Sequence, residues 1–299
     1  MERKGFIGGS DISAVMGLSR WVTPLKLWAI KTGEVEPDDL SDNEAVELGS
    51  ELEDFVAKKF ERKTGMKVRR APKIYQHPTI GIFRAQVDRL VEGTDELLEV
   101  KTASAWKAKE WQGDEIPQEY ILQVLWQLFV TGRSVGHIAV LIGGQSFKYK
   151  KIEADGEMFI KMRDAALAFW KMVEDKTPPM AVAPDNEFII ELYPQHDEMM
   201  QEVEELNDKI GLLMQLKGTI KEAEEQKDEI EAQIKAVIGD NLGIKTSEYE
   251  VSWKRQPRTS LDTKSMKENE PEIYNRYAVK SETRILRVKG AKNGNTANS

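Results

Sequence analysis

Cysteine is absent from all 299 residues. Disulfides, thiolate zinc sites and iron–sulfur clusters are excluded on that ground, and a reducing, cytoplasmic compartment is the expectation. Long apolar runs are also missing. The run over residues 138–142 has the length of a core strand, and no stretch has the make-up of a secretory signal or a membrane span. Positive charge is not in excess either, since 43 Lys+Arg against 51 Asp+Glu leave a net −8. That balance argues against coating nucleic acid with the whole surface, but an acidic exterior around a basic channel would suit an enzyme that must release DNA. Helicase motifs are lacking, which removes a fused motor. What remains is a chain with 40% hydrophobic residues, long enough for one large domain or a domain with an appendage.

The stretch that organises the chain is residues 83–127. It reads as a strand carrying Asp88, a turn at 93–95, a second strand over 97–101, and a helix from about Pro117 that carries Gln123. Residues i and i+2 of a strand share a face, so Glu99 and Lys101 address one site while Val100 packs the other way. A hairpin returns Asp88 beside them. Leu90-Val91 and Leu97-Leu98 make the flanks apolar, and charges in such strands are costly unless paired or metal-bound. Hard cations such as Mg²⁺ take carboxylate and carbonyl oxygens, and an adjacent ammonium can orient or deprotonate a water or steady a phosphate. These residue types together describe a metal-dependent phosphodiesterase site.

Around this centre, Gly8-Gly9-Ser10-Asp11 precedes a helical pattern over 12–16, placing Ser10 or Asp11 at the N-cap, where a phosphate could also bind. Trp21 and Trp28 read as core or groove walls, and 25–32 as a helix ended by Gly33. A longer helix is predicted over 43–64, stopped by Gly65. On it Gly49 and Glu53 share a face, so that a ligand or strand can approach and Glu53 can reach the site. Residues 66–74 read as one strand bearing Lys67, Arg69, Arg70 and Lys73. His77 sits in a turn. Within 102–113, lysines interleave with Trp106 and Trp111, which suits base stacking or ordinary packing of one tryptophan. Helix 118–131, strands 135–142 and 145–152, and helix 156–174 complete an α/β core with a mixed central sheet flanked by helices.

In order and spacing, Gly8-Gly9-Ser10-Asp11, Gly49-x₃-Glu53, Val87-Asp88, Glu99-Val-Lys101 and Gln123 resemble the YqaJ-like viral recombinases. These are phage alkaline exonucleases similar to lambda exonuclease, within the PD-(D/E)xK nucleases, which have a restriction-endonuclease-like core. The resemblance covers about residues 1–174. It implies that Asp88, Glu99 and the Val100 carbonyl ligate Mg²⁺, with Mn²⁺ able to substitute, and that Glu53 supports a second ion. It implies also that Lys101 activates the attacking water, that Gln123 orients it, and that Ser10, Arg20 and Arg3 bind the DNA 5′-phosphate. The family degrades one strand of linear duplex DNA 5′→3′ as a trimeric ring and passes the 3′ overhang to a RecT/Bet-like single-strand annealing protein. Membership therefore implies a bacterial host cell and a phage or prophage source. Two departures stand out: Arg89 follows Asp88 where a glycine is common, and Leu125 replaces a second glutamine. Arg89, Trp106 and Lys107 are further candidate DNA contacts. A structure- or site-directed endonuclease of the same superfamily, and a non-catalytic DNA-binding or assembly protein, are the competing readings.

The expected organisation is a nuclease domain over 1–177, a proline-punctuated linker over 178–194, a long helical, coiled-coil-like segment over 195–239 and a small basic α+β module over 240–289. A disordered tail over 290–299 completes it. Gly211 and Gly218 permit a hairpin in the long helix, and packing against its own chain is favoured over a self-association stalk. In the module, 249–254 reads as a strand, 261–277 as a helix and 284–288 as a strand.

Overall fold

A computed structural model describes residues 3–71, 73–280 and 283–290. The chain opens with a short α1 (Ile12–Val15) and then α2 (Pro24–Thr32). α2 starts where the Thr23 hydroxyl accepts from the Lys26 amide and Pro24 has no donor to satisfy, and it stops at Gly33 with φ +82°. α3 (Glu44–Thr64) begins where the Asn43 side chain accepts from two backbone amides and ends at Gly65. There follow β1 (Val68–Arg70), β2 (Ile74–Gln76), β3 (Arg84–Gln86), β4 (Arg89–Val91) and β5 (Glu96–Ala103). α4 (Gln118–Thr131), β6 (Val135–Ile142), β7 (Ser146–Glu153) and α5 (Gly156–Glu174) complete the core.

Five strands form a sheet in the order β1-β4-β5-β6-β7, while β2 and β3 pair separately. β5 and β6 run parallel and the other neighbours antiparallel, so the sheet is mixed. The single strand expected over 66–74 is two strands, one in each sheet. Pro72, which lies between them and outside the described residues, has no amide to offer a ladder.

Period-two alternation assigns the two faces of the large sheet. Leu98 and Val100 of β5 pack with Ala139 and Leu141 of β6 against Val56, Ala57 and Phe60 of α3. Leu97 faces the opposite way, with Ile138 and Val140, into the larger cluster that includes Leu122, Val124 and Leu128 of α4. Helices therefore cover both faces of a mixed α/β core. The approach of α4 to β6 requires glycine at 136, since a methyl there would lie 2.3 Å from Val124 Cγ1. Gly136→Ala is expected to cost about 1–3 kcal/mol by overpacking, seen as a lower melting temperature with the far-ultraviolet circular dichroism of the folded state unchanged.

The expected linker over 178–194 is not a free connector. Residues Asp185–Leu192 form α6, Phe188 enters the main core, and fully buried Asp185 accepts hydrogen bonds from Thr23 Oγ1 and the Val182 amide. The chain divides into two compact units after Tyr193.

In the second unit α7 (Asn207–Ile238) runs unbroken for 32 residues, about 48 Å at 1.5 Å per residue. Gly211 and Gly218 make no hairpin, and residues 195–203 are not helical. Along α7, Ile210, Leu216, Ile220 and Ile230 are exposed and Ile238 is buried. β8 (Gly243–Lys245) and β9 (Glu250–Ser252) make a two-stranded sheet. The helix expected over 261–277 is two, α8 (Thr263–Asn269) and α9 (Pro271–Tyr277), because proline at 271 cannot continue an upstream ladder but can start a new helix. Residues 284–288, expected as a strand, have no regular structure. The tail beyond Gly290 lies outside the described residues.

Candidate active site

β5 carries the centre of the site. Glu99 and Lys101 emerge on the α4 side while Val100 packs beneath α3, as alternation requires. Asp88 lies in a bend just before β4 rather than inside a strand. Its Oδ2 accepts the Val100 amide at 2.8 Å, a side-chain substitute for the ladder bond that the bend gives up. The carboxylate of Asp88 thus sits at the edge of β5 next to Glu99.

Glu99 is buried and surrounded by donors. Its Oε1 accepts from Lys101 Nζ and from Gln123 Nε2 at 2.6 Å, and its Oε2 accepts from Gln127 Nε2 at 2.7 Å. Gln123 and Gln127 stand four apart on α4, one turn along the same face. Gln127 also donates to the Gln86 carbonyl at 2.9 Å. Gln127 was missed by the sequence reading, although its i+4 relation to Gln123 was a usable signal. It supplies a second amide where Leu125 seemed to remove one.

Burial, and then the charge of Glu99, pushes the Asp88 pKa up to about 7, against the Val100 hydrogen bond and the Lys101 charge, which pull it down. For Lys101 burial acts to lower the pKa, but the charge and hydrogen bond of Glu99, with Asp88, outweigh it, and the ammonium is held more tightly than usual. Lys101 Nζ also lies 5.3 Å from the centroid of the Tyr120 ring, which stacks on buried Trp111.

The remaining carboxylate expected at the site is engaged elsewhere. Glu53 projects from α3, and Gly49 on the same face lets β5 come close, as a Cβ there would be 3.3 Å from Thr102 Oγ1. The Glu53 carboxylate, however, is paired with the guanidinium of Arg89. Arg89 is buried and donates to Asp54 Oδ1 at 2.6 Å and to the Asp88 carbonyl at 2.7 Å, so its donors are taken up by groups of the chain itself. Arg70 holds the outer edge of Asp54 at 2.7 Å and, more than Arg89, keeps its pKa below the ordinary carboxylate value.

Asp88 looks into two clefts. One, of about 830 Å³, is lined by Glu53, Arg70, Lys73, Arg84 and Arg89; the other, of about 430 Å³, by Gly8, Gly9, Ser10, Arg84 and Gln123. The glycine turn lies directly on α4, for a Cβ at Gly9 would be 3.3 Å from Gln123 Cγ. Arg84, a wall of both clefts, was not singled out from the sequence. Its guanidinium carbon is 5.0 Å from the Phe6 ring centroid, and its buried Nε has no hydrogen-bond partner among the described residues.

Ser10 is exposed at the second cleft, but Asp11 is no cap: α1 has no side-chain cap hydrogen bond. Asp11 Oδ2 instead accepts from the Gly8 amide and pairs with the buried Lys31 ammonium at 2.7 Å, whose desolvation demands a counter-charge. Arg20 pairs with Glu110 at 2.7 Å and Glu119 at 3.1 Å. The Arg3 side chain lies outside the described residues. Trp106 is 94% exposed whereas Trp111 is 1% exposed, so the stacking and packing readings of that loop fall on different tryptophans. Lys107 Nζ lies 4.5 Å from the Trp21 ring centroid.

The donor set fits a hard divalent cation. Asp88 and Glu99 are oxygen donors kept close at an electrostatic cost that a cation between them would relieve. Among the described residues no three His, Cys, Asp or Glu side chains are gathered to hold an ion.

Residues 1–134 match the YqaJ-like viral recombinase domain. A Bacillus subtilis (strain 168) protein described as uncharacterized protein YqaJ is 37% identical over 294 residues, covering 96% of this chain and 91% of that protein. The fold is similar to that of an alkaline exonuclease (LHK-Exo) from Laribacter hongkongensis, with TM-score 0.50 and 23% identity over 58% of this chain and 91% of that one. The same exonuclease in complex with dAMP matches at TM-score 0.50 and 23% identity, over 63% of this chain and 93% of that one.

Proposed function

We propose that this chain, which belongs to the YqaJ-like viral recombinase family, is a Mg²⁺-dependent 5′→3′ exonuclease. It would act on one strand of linear duplex DNA and serve phage-type recombination by single-strand annealing. The observation that carries the reading is the convergence of Asp88, Glu99, Lys101 and Gln123 within hydrogen-bond reach at the edge of β5. The likeness to an alkaline exonuclease fold supports it. On this reading residues 1–193 are the nuclease unit, and the role of the second unit is separate.

Asp88, Glu99 and the Val100 carbonyl would hold the cation, which when bound neutralises the phosphate oxygens and acidifies a water. Gln123 and Gln127 fix the Glu99 carboxylate so that it keeps its orientation as substrate enters. Lys101, held protonated by Glu99, orients the water or steadies the phosphate in preference to removing a proton. Ser10 and the half-buried Arg84 line the smaller cleft, where a terminal phosphate would find donors, and Arg20, outside that lining, would join them by exchanging Glu110 for the phosphate. Trp106, unburied and flanked by Lys107, offers a face for a displaced base. DNA ends are the substrate, a RecT/Bet-like annealing protein the recipient of the product, and a ring of three copies the assembly.

Digestion of end-labelled linear duplex tests this reading, using 5′-phosphorylated or unphosphorylated ends, Mg²⁺ or EDTA, and a closed circular control. Metal-dependent loss from the 5′ end with the circle spared is expected. Cutting of the circle would instead favour the endonuclease, and binding without cleavage an assembly role. In the same assay Arg20→Ala should erase the preference for phosphorylated ends, and an unchanged preference would remove Arg20 from the end-recognition site.

A further inference from the structure

Arg89 is a buried cation placed where the site has its third and fourth carboxylates. Its guanidinium pairs with Glu53, donates to Asp54 Oδ1 at 2.6 Å and reaches the Asp88 carbonyl at 2.7 Å, with the side chain 4% exposed. A guanidinium stays charged at any pH the protein survives, and removing its partners would leave an uncompensated buried charge. Turning Glu53 to a metal ion would therefore leave this buried guanidinium with Asp54 as its one carboxylate partner among the described residues. Geometry makes the arrangement rigid as well: Arg89 stands opposite Arg70 in the β1–β4 register, and Arg70 closes the far side of Asp54 at 2.7 Å.

We infer that Arg89 is a built-in replacement for a second metal ion, so that the chain holds one divalent cation, at Asp88 and Glu99. Glu53 is then a positioning residue for Arg89 and not a ligand. The guanidinium borders the larger cleft beside Asp88 and Arg84, where it supplies fixed positive charge to the wall that a DNA phosphate would approach. This rests on the nuclease reading above, but it concerns how many ions bind, which is measured without cleavage.

The test is a Mn²⁺ titration of the full chain, without DNA, read by calorimetry and by electron paramagnetic resonance of free Mn²⁺. Wild type and Glu53→Gln should each take one ion, with affinities differing by less than about the tenfold that loss of an outer-shell partner usually costs. Arg89→Ala, which frees Glu53 and Asp54, should take two. Anomalous diffraction from Mn²⁺-soaked crystals with a duplex end bound should give one peak per wild-type chain. Two ions in wild type, one of them lost in Glu53→Gln, overturns the inference while leaving the nuclease reading intact. No ion in wild type together with metal-independent behaviour in the digestion assay overturns both. Should Arg89→Ala not fold, the wild-type and Glu53→Gln titrations still decide.

Discussion

Asp88→Asn is expected to abolish cleavage and at the same time to make the metal-free protein more stable at alkaline pH. Burial and Glu99 lift the Asp88 pKa from 3.8 to about 7. An acid whose folded pKa is raised contributes stability that is fully present below the unfolded value and lost as pH rises through the folded one. The cost falls between about pH 4 and 7, and at pH 8 it is bounded by about 4 kcal/mol from the size of that shift. Asparagine cannot ionise, yet its carbonyl can still accept the Val100 amide that Asp88 accepts at 2.8 Å. Melting in EDTA should therefore show the variant ahead of wild type at pH 8.5 and level with it near pH 4. Adding Mg²⁺ should raise the wild-type melting temperature at pH 8.5 and leave the variant unmoved. By the same sign, metal affinity and cleavage should climb with pH through about 7, since a cation competes with a proton for Asp88. A wild type more stable than Asp88→Asn at alkaline pH without metal would contradict the assignment.

Lys101→Ala carries the second large effect, on turnover. The ammonium contacts Glu99 and lies over the Tyr120 ring, with no other cation in hydrogen-bond reach of Glu99 among the described residues. Losing a group that orients a water or stabilises developing charge costs about 10²–10⁴ in rate. Duplex affinity, measured by fluorescence anisotropy in Ca²⁺, should change little, because Arg70, Lys73 and Arg84 supply other cationic side chains along the larger cleft. Near-normal turnover in the variant would exclude Lys101 from the mechanism. A pH profile of the wild type that tracks the Asp88 range, with no inflection near the lysine range, would agree with an ammonium that orients and does not deprotonate.

Much of the first unit was legible because it depends on local rules. α4 ends at its glycine stop, Gly132, α5 begins where the Asp155 side chain accepts from two backbone amides, and β6 matches its apolar run. Alternation along β5 put Glu99 and Lys101 on one face from the sequence alone. The failures have a common cause, which is that pairing partners distant in sequence decide them. The 66–74 segment reads as one strand until two different sheets claim its halves. The 178–194 segment looks like a linker by its prolines, but Phe188 and Asp185 find a core and a hydroxyl supplied by residues far upstream. Asp11 has the sequence of a cap and the environment of a counter-ion, because Lys31 is buried twenty residues later.

The sequence by itself determined the oxygen-rich, cysteine-free chemistry of the site, the sharing of one strand face by Glu99 and Lys101, and the helix that delivers Gln123. These follow from residue type and from the fixed periods of strand and helix, which need no knowledge of the rest of the chain. Only the tertiary structure decided that Asp88 leaves the strand to receive the Val100 amide, that Gln127 completes the grip on Glu99, and that Arg89 turns inward to hold Glu53 and Asp54. Each of those depends on which side chains are buried together, and the cost of an unpaired charge or donor away from water then fixes every partner.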